Sequence, residues 1–290
     1  MAEEIKKLVK EYQEGRISRR EFIQQAVVFT GSLAVATSLI DSLAFPQAYA
    51  AQVEPNDPSL TSGSAQFPGP AGTVLGYQSR PSAAGSYPAV IIIHANQGLD
   101  DHIRDVARRF AKVGYFALAP DYLSRKGGTE KFPDANKGLS MGGLAPKEVI
   151  KEDTESAVAY LRSLKEVRSD RIGITGFCWG GEQAFHAATQ VRGLKAAVIF
   201  YGRSPNPLDL VQQIEAPVFV HYGELDKGIT GGVPQTEEAM KKYNKPYEYK
   251  IYSNAQHAFF HDGRADRYNP EAAKEAWTRT VEFFKKHLQS

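Results

Sequence analysis

The segment Gly176–Gly181, Gly-Phe-Cys-Trp-Gly-Gly, contains the residue of this chain best suited to covalent chemistry. Cys178 lies in a G-x-C-x-G turn between the apolar run Arg171–Thr175 and the segment Glu182–Ala188, which predicts a helix. A strand that enters such a turn and leaves it as a helix has the form of a nucleophile elbow. This turn would expose the thiol at the top of a sheet. It would also place the backbone N–H of Trp179 at a helix N-terminus, where it can stabilise a developing oxyanion.

A thiol nucleophile needs a base to manage its proton and a third group to orient that base. In an elbow fold these partners follow the nucleophile in the order acid, then histidine. Asp226 follows the stretch 217–225 and His257 follows 249–256, so each comes where a predicted strand runs into a loop. Functional groups of open α/β sheets collect at the carboxyl ends of strands. We therefore predict a triad of Cys178, Asp226 and His257.

The triad has competitors within the sequence. A buried structural thiol is the commoner fate of cysteine, although the glycine-flanked turn favours a nucleophile. Glu224 competes with Asp226 as the acid, and the chain order of known triads favours Asp226. His261 competes with His257 as the base. The remaining histidines are expected to be structural or on the surface: His94, His102, His186, His221 and His287.

The composition excludes several classes of function. The 290 residues include 35 basic and 33 acidic side chains, and a net charge of +2 gives no electrostatic footprint for a nucleic-acid partner. A single cysteine excludes an intramolecular disulfide and a cysteine-rich metal site. His257, His261 and Asp262 have a spacing that suggests zinc ligands. No His-Glu-x-x-His helix or second ligand cluster accompanies them, so we expect neither a metal nor another cofactor.

The first fifty residues have the pattern of a twin-arginine export signal. Arg19-Arg20 precedes an uncharged, mildly apolar run over Ala26–Ile40, and Ala48-Tyr49-Ala50 matches the small-x-small cleavage rule. The apolar run is shorter than the roughly 20 residues of a membrane span. We predict recognition by the export machinery, cleavage after Ala50 and a periplasmic or otherwise exported protein. An uncleaved segment would anchor the protein to the membrane, and an amphipathic N-terminal helix pair is the alternative interpretation.

From Gly72 onward, apolar runs alternate with amphipathic segments. This pattern predicts an α/β fold with a mainly parallel twisted sheet and helices on both faces. Residues 51–71 are expected to be a linker, because prolines and glycines mark much of the stretch, and residues 72–290 to form the domain. The predicted strands are Thr73–Tyr77, Ala89–His94, Tyr115–Ala119, Arg171–Thr175, Ala196–Tyr201, Val218–Tyr222 and Tyr247–Tyr252. The polar stretch Ser124–Gly143 is expected to be a long loop beside the substrate.

The second oxyanion donor is expected in the loop after the strand Ala89–His94. In an elbow fold that loop supplies a backbone N–H opposite the one that follows the nucleophile. The N–H of Asn96 is the candidate. Loss of one such donor typically costs about 2.7–4 kcal/mol of transition-state stabilisation, so this loop should matter nearly as much as the triad.

These residues resemble the dienelactone hydrolases (carboxymethylenebutenolidases), a family with the α/β-hydrolase fold. The similarity extends from about Gly72 to Leu288. Besides the elbow, it rests on the segments His94–Leu99, Asp101–Ala107, Gly114-Tyr115, Ala119–Asp121, Asn254–Phe259 and Tyr268–Pro270 with Ala273 and Ala276-Trp277. The resemblance implies a triad of Cys178, Asp226 and His257. It also implies oxyanion donors at Asn96 and Trp179 and a small ester or lactone as substrate.

Two positions depart from the pattern of the family. Where this chain has Ala95, relatives of the dienelactone enzyme place a glutamate that helps to generate the thiolate. The thiol must then be ionised by His257 directly or by another carboxylate such as Glu182. The dienelactone enzyme also binds the substrate carboxylate with an arginine at the position of His261, and Arg264 lies close to it in sequence.

The sequence thus predicts an exported hydrolase that cleaves ester or lactone bonds through a thioester acyl-enzyme. One alternative is a non-catalytic or redox-sensing relative of the fold, which Ala95 favours and the complete triad disfavours. A second alternative is an acyl or peptide hydrolase with a larger pocket. The sequence specifies neither the substrate nor the oligomeric state.

Overall fold

The computed structural model of the chain describes two long ranges and part of the N-terminal segment: residues 51–132, residues 145–289, Leu8, Glu11 and helix α1 (Arg19–Thr30). The predicted apolar run beyond residue 30, the predicted cleavage site and the second half of the predicted loop Ser124–Gly143 lie outside the described residues. Within the described ranges, no helix combines the length and the apolar character that crossing a membrane requires.

The chain forms two compact units. The first consists of Met1–Ala50 and Gly263–Asp266, and it contains α1. The second consists of Ala51–Asp262 and Arg267–Ser290. All strands of the described ranges and every residue of the predicted triad and oxyanion hole belong to the second unit.

The second unit is built on an eight-stranded sheet. Its strands are β1 (Leu60–Gly69), β2 (Gly72–Pro81), β3 (Tyr87–Ile93), β4 (Phe116–Pro120), β5 (Val167–Phe177), β6 (Leu194–Phe200), β7 (Val218–Gly223) and β8 (Tyr247–Tyr252). The order across the sheet is β1-β2-β4-β3-β5-β6-β7-β8. β2 pairs antiparallel with β1 and β4, and all other pairs are parallel. The predicted α/β class with a mainly parallel sheet is confirmed.

Helices cover both faces of this sheet. They are α2 (Asp101–Lys112), α3 (Lys147–Ser163), α4 (Trp179–Gln190), the single turn α5 (Lys227–Thr230), α6 (Val233–Lys242) and α7 (Pro270–Phe284). α2 and α7 contribute to one hydrophobic cluster, and α3, α4 and α6 to the other. Along β3, Ile91 and Ile93 enter one cluster while Val90 and Ile92 enter the other. Burial on both faces explains why this strand is apolar at every position.

The predicted linker over residues 51–71 is wrong in its second half. Leu60–Gly69 forms β1, which pairs with β2 over ten positions from Leu60↔Pro81 to Gly69↔Gly72. In β1 only Ala65 and Phe67 are buried, and most of the other positions are small or polar. An edge strand of this composition lacks the apolar alternation by which strands are detected, so only its pairing with β2 identifies it.

A buried carboxylate joins the beginning of the second unit to α2. Asp105 is fully buried, and it accepts the backbone N–H groups of Gln52 at 3.1 Å and Val53 at 2.9 Å. It also forms an ion pair with the guanidinium of Arg109 in the next helical turn. A charge is tolerated in the interior only when it is paired and hydrogen-bonded in this way.

We expect Asp105→Asn to lower the free energy of unfolding by about 3 kcal/mol, because it removes one member of a buried ion pair. The control is Glu215→Gln, since Glu215 pairs with Arg192 at the surface, where both side chains are more than 60% exposed. That change should cost less than about 1 kcal/mol. Urea denaturation followed by circular dichroism measures both. Equal, small effects would show that the buried pair contributes little.

Candidate active site

Cys178 lies between β5 and α4, in a turn that only small neighbouring residues permit. Its backbone has φ 58° and ψ −119°, a strained conformation for a residue with a side chain. A Cβ on Gly176 would lie 2.0 Å from the carbonyl oxygen of Gly180, and a Cβ on Gly180 would lie 2.2 Å from that of His94. These close approaches account for both glycines. The turn leaves the thiol half-buried at the carboxyl end of β5.

The first N–H groups of α4 are not used by the helix itself. The N–H of Cys178 donates to the carbonyl of Phe200 at 3.1 Å, and the first bond within the helix runs from Glu182 N–H to Cys178 O. The N–H of Trp179 therefore lies at the helix N-terminus, where unpaired donors and the helix dipole favour negative charge. This is the position predicted for one oxyanion donor.

The structure brings Cys178, His257 and Asp226 together from three separate loops. His257 Nε2 lies 3.0 Å from Cys178 Sγ, and His257 Nδ1 lies 2.5 Å from Asp226 Oδ2. The three loops follow β5, β7 and β8, which run parallel in one half of the sheet. Their carboxyl ends therefore share one edge, where side chains from distant parts of the chain can meet.

Among the described residues, no hydrogen bond joins the carboxylates considered as alternatives to the imidazole or the thiol. Glu224 Oε2 accepts the backbone N–H of Asn254 at 2.9 Å, whereas the carboxylate that reaches His257 is that of Asp226. Within residues 51–132 and 145–289, no hydrogen bond or ion pair joins the Glu182 side chain to the thiol. The imidazole is the group placed to take the proton of the thiol.

His261 belongs to a different cluster from His257. Its ring stacks on that of His102 with centroids 3.9 Å apart and planes 10° apart, and Asp262 Oδ1 lies 3.1 Å from His102 Nδ1. The ligand atoms of these three side chains lie within 4.8 Å of one another. However, the lone pairs of stacked rings lie in parallel planes, which disfavours their converging on one ion, and Asp262 is also paired with Arg109. The cluster has the geometry of a hydrogen-bonded network around the Asp262–Arg109 ion pair.

The environment of His257 favours its charged form. Burial lowers the pKa of His257 by disfavouring the imidazolium. The hydrogen bond to Asp226 and the contact with Cys178 outweigh burial and raise the pKa of His257 to about 9. At pH 7 the ring therefore holds a proton on both nitrogens, one directed at Sγ and one at the carboxylate. A cation at this distance from sulfur stabilises a thiolate.

The loop after β3 presents the second predicted oxyanion donor. The carbonyl of Ala95 accepts the N–H of Gly98 at 3.1 Å and closes a tight turn in which Gly98 has φ +81°. Asn96 lies inside this turn and is exposed. Among the described residues, no hydrogen bond uses the backbone N–H of Asn96 or of Trp179. Both predicted donors are therefore available to a ligand.

The loop after β4 supports the far end of this turn. The hydroxyl of Thr129 accepts the N–H of Leu99 at 2.9 Å and donates to Asp121 at 2.9 Å. Asp121 in turn accepts the N–H groups of Leu123 and Thr129. The first half of the predicted loop Ser124–Gly143 therefore supports the turn at Leu99. It includes the short 3₁₀ helices Ser124–Lys126 and Thr129–Lys131.

His94, expected to be structural or on the surface, is fully buried. What the sequence did not predict is that its ring stacks on that of Trp179 at 5.7 Å. No motif indicates this contact, because the two residues are far apart in sequence. The available signal was its position directly before Ala95, at the end of the most apolar strand.

The profile of the Dienelactone hydrolase family matches residues 74–288. The chain belongs to this family. The resemblance found in the sequence is therefore confirmed, and the protein is a hydrolase with the α/β-hydrolase fold.

Individual relatives of the dienelactone hydrolase family match most of the chain. A protein from Methylorubrum extorquens, assigned as a carboxymethylenebutenolidase, is 31% identical over 267 residues, which cover 87% of this chain and 91% of the relative. A Bradyrhizobium protein, assigned as a 2-oxo-3-(5-oxofuran-2-ylidene)propanoate lactonase, is 37% identical over 229 residues, 74% of this chain and 90% of the relative. A crystal structure from Klebsiella pneumoniae, assigned as a dienelactone hydrolase, superposes with a TM-score of 0.72 at 31% identity and covers 79% of this chain and 99% of that one.

The raised pKa of His257 predicts the pH at which its imidazole ring titrates. In an NMR experiment on the ring protons, the wild-type midpoint should lie near pH 9, and Asp226→Asn should move it to lower pH because the carboxylate that favours the imidazolium is lost. Glu224→Gln is the matched control, since this nearby carboxylate bonds to a backbone N–H, and it should leave the midpoint in place. A wild-type midpoint near the reference value of about 6.5 would contradict the charged resting state.

Proposed function

We propose that this protein hydrolyses esters or lactones through a covalent thioester on Cys178. The observation that carries the proposal is the continuous contact from Cys178 Sγ to His257 and on to Asp226, at 3.0 and 2.5 Å. A thiol in contact with a base that is itself oriented by a carboxylate is the arrangement of an activated nucleophile. The lactonase and carboxymethylenebutenolidase assignments of the relatives support a cyclic or open ester as substrate.

The first half of the proposed reaction forms the acyl-enzyme. The thiolate of Cys178 attacks the carbonyl carbon, and the electrons of the C=O bond move to oxygen. The N–H groups of Asn96 and Trp179 then stabilise this oxyanion. As the tetrahedral intermediate collapses, the C–O bond to the alcohol breaks and the leaving oxygen takes the proton from His257 Nε2. A lactone substrate keeps its alcohol attached, because the broken bond lies within the ring.

The second half releases the acid. The imidazole of His257 is now neutral and takes a proton from water, which attacks the thioester carbon through a second oxyanion. The C–S bond breaks, the thiolate of Cys178 returns, and His257 is again the cation. Asp226 holds the same ring orientation throughout, because its bond to Nδ1 persists in both charge states.

This scheme gives Ala95 a physical explanation. Relatives of the dienelactone enzyme use a glutamate at this position to generate the thiolate. Here the proton passes directly to His257, whose pKa is raised to about 9 by Asp226 and by the thiol itself. A carboxylate at residue 95 is then unnecessary, and it would place a like charge near the thiolate.

The test uses the only thiol in the chain. Cys178→Ala should lower kcat/KM for p-nitrophenyl acetate by at least about a thousandfold, since loss of a triad nucleophile removes the covalent route. His287→Ala, which changes a histidine outside the triad, should keep wild-type activity. Mass spectrometry of wild type quenched during turnover should show one acyl group on Cys178.

Other results would contradict the proposal. Full activity in Cys178→Ala would exclude the thioester. A wild type that turns over no ester or lactone would favour the non-catalytic relative, and a preference for acylated peptides over small esters would favour the hydrolase with a larger pocket.

We also propose that the protein is exported through the twin-arginine route and cleaved after Ala50. The order of Arg19-Arg20, the apolar run and Ala48-Tyr49-Ala50 supports this proposal. Twin-arginine signals direct folded proteins across the membrane, which suits a chain without disulfides.

Substitution of the arginine pair tests the export route. Arg19→Lys/Arg20→Lys keeps the charge and should abolish export, whereas Lys6→Arg/Lys7→Arg should not affect it. Cell fractionation measures both, and N-terminal sequencing of the exported protein should begin at Ala51. Export of the twin-lysine variant at the wild-type level, or a mature N-terminus far from Ala51, would contradict the proposal.

A further inference from the structure

The ring of His94 makes two hydrogen bonds that define its tautomer. Its Nδ1 lies 2.8 Å from the carbonyl oxygen of Ala95, and its Nε2 lies 3.1 Å from the backbone nitrogen of Tyr122. A carbonyl only accepts and an N–H only donates, so Nδ1 carries the proton and Nε2 accepts. Burial lowers the pKa of His94, which agrees with a neutral ring. Both nitrogens are therefore satisfied within the core.

The bond from His94 sets the direction of the peptide between Ala95 and Asn96. In a trans peptide the C=O and the N–H point in opposite directions. The oxygen of Ala95 is held by His94 Nδ1 at 2.8 Å and by Gly98 N–H at 3.1 Å. The N–H of Asn96 must therefore point away from the buried ring. Without His94, Gly98 alone would hold this peptide.

The same ring contacts the segment that carries the other donor. The indole of Trp179 stacks on His94 at 5.7 Å with planes 23° apart. The main chains of the two segments also lie close together, because a Cβ on Gly180 would meet the backbone carbonyl oxygen of residue 94 at 2.2 Å. The ring of Tyr122 covers another side of the imidazole at 5.6 Å. The start of α4 and the loop after β3 thus share His94 as a common support.

We propose that His94 is a positioning residue that holds the backbone N–H groups of Asn96 and Trp179 in the geometry of an oxyanion hole. This inference rests on the proposed hydrolysis at Cys178. It assigns to His94 no contact with the substrate and no proton transfer. Its effect should appear in steps that create an oxyanion and should be absent from steps that do not.

Two substitutions by amide residues each remove one of the two hydrogen bonds made by the His94 ring and can keep the other. The amide nitrogen of asparagine is as many bonds from Cα as His94 Nδ1, and the amide of glutamine is as far as Nε2. His94→Asn can therefore keep the donor to Ala95 O but loses the acceptor for Tyr122 N–H. His94→Gln has the opposite effect, and His94→Leu removes both bonds.

Steady-state hydrolysis of p-nitrophenyl acetate measures the effect on catalysis. In His94→Gln and His94→Leu, kcat should fall at least about tenfold with little change in KM, because an oxyanion donor acts on the transition state. His94→Asn should keep kcat within about threefold of wild type. A residue that merely stabilised the fold would give no such ranking, since His94→Asn leaves a buried N–H of Tyr122 without its acceptor.

Alkylation of Cys178 by iodoacetamide provides the internal control. This displacement needs the thiolate but develops no oxyanion, so its rate should be the same in wild type and in all three variants. A parallel loss of alkylation and hydrolysis would show that the ring acts on the triad and would overturn the proposal. Wild-type kcat in His94→Leu, or no advantage of His94→Asn over His94→Gln, would overturn it as well.

A structural readout separates this inference from the proposed function. If the wild type hydrolyses no ester, the proposed function fails, and the crystal structure of His94→Gln decides the role of His94. A rotated Ala95–Asn96 peptide would support the positioning role. A peptide in the wild-type direction would overturn it.

Discussion

The imidazole of His257 is held between the carboxylate of Asp226 and the thiol of Cys178, and the rest of the site depends on this contact. Burial lowers the pKa of His257, but the hydrogen bond to Asp226 and the contact with Cys178 raise it to about 9. In the proposed reaction, an imidazolium 3.0 Å from Cys178 Sγ stabilises the thiolate without an additional carboxylate beside it. The proposed reaction therefore needs no carboxylate at the position of Ala95.

The sheet determines that this contact can form. β5, β7 and β8 are parallel members of one sheet, so the loops that follow them emerge at one edge. The close packing of Gly176 and Gly180 allows Cys178 to adopt its strained conformation above that edge. Buried strands on both sides keep this arrangement rigid, because close-packed interiors resist local displacement.

A second layer of contacts supports the two proposed oxyanion donors. His94, anchored by the N–H of Tyr122, holds the turn that contains Asn96 through the carbonyl oxygen of Ala95. The loop after β4 holds the end of the same turn through the bond from Leu99 N–H to Thr129. These residues form bonds only with backbone groups or with each other. In the proposed reaction their contribution is preorganisation, which lowers the cost of stabilising charge in the transition state.

The sequence by itself determined the fold class, the family and the order of the three triad candidates, because apolar periodicity and the elbow motif are local patterns. It favoured Asp226 over Glu224 by the order of known triads and predicted His257 rather than His261, although residues so close along the chain have similar local patterns. Only the tertiary structure shows which side chains meet, because the distance from each carboxylate to the imidazole depends on how the strands pair. Likewise, β1 and His94 have no distinctive local pattern. Their places follow only from pairing with β2 and from burial between the two loops.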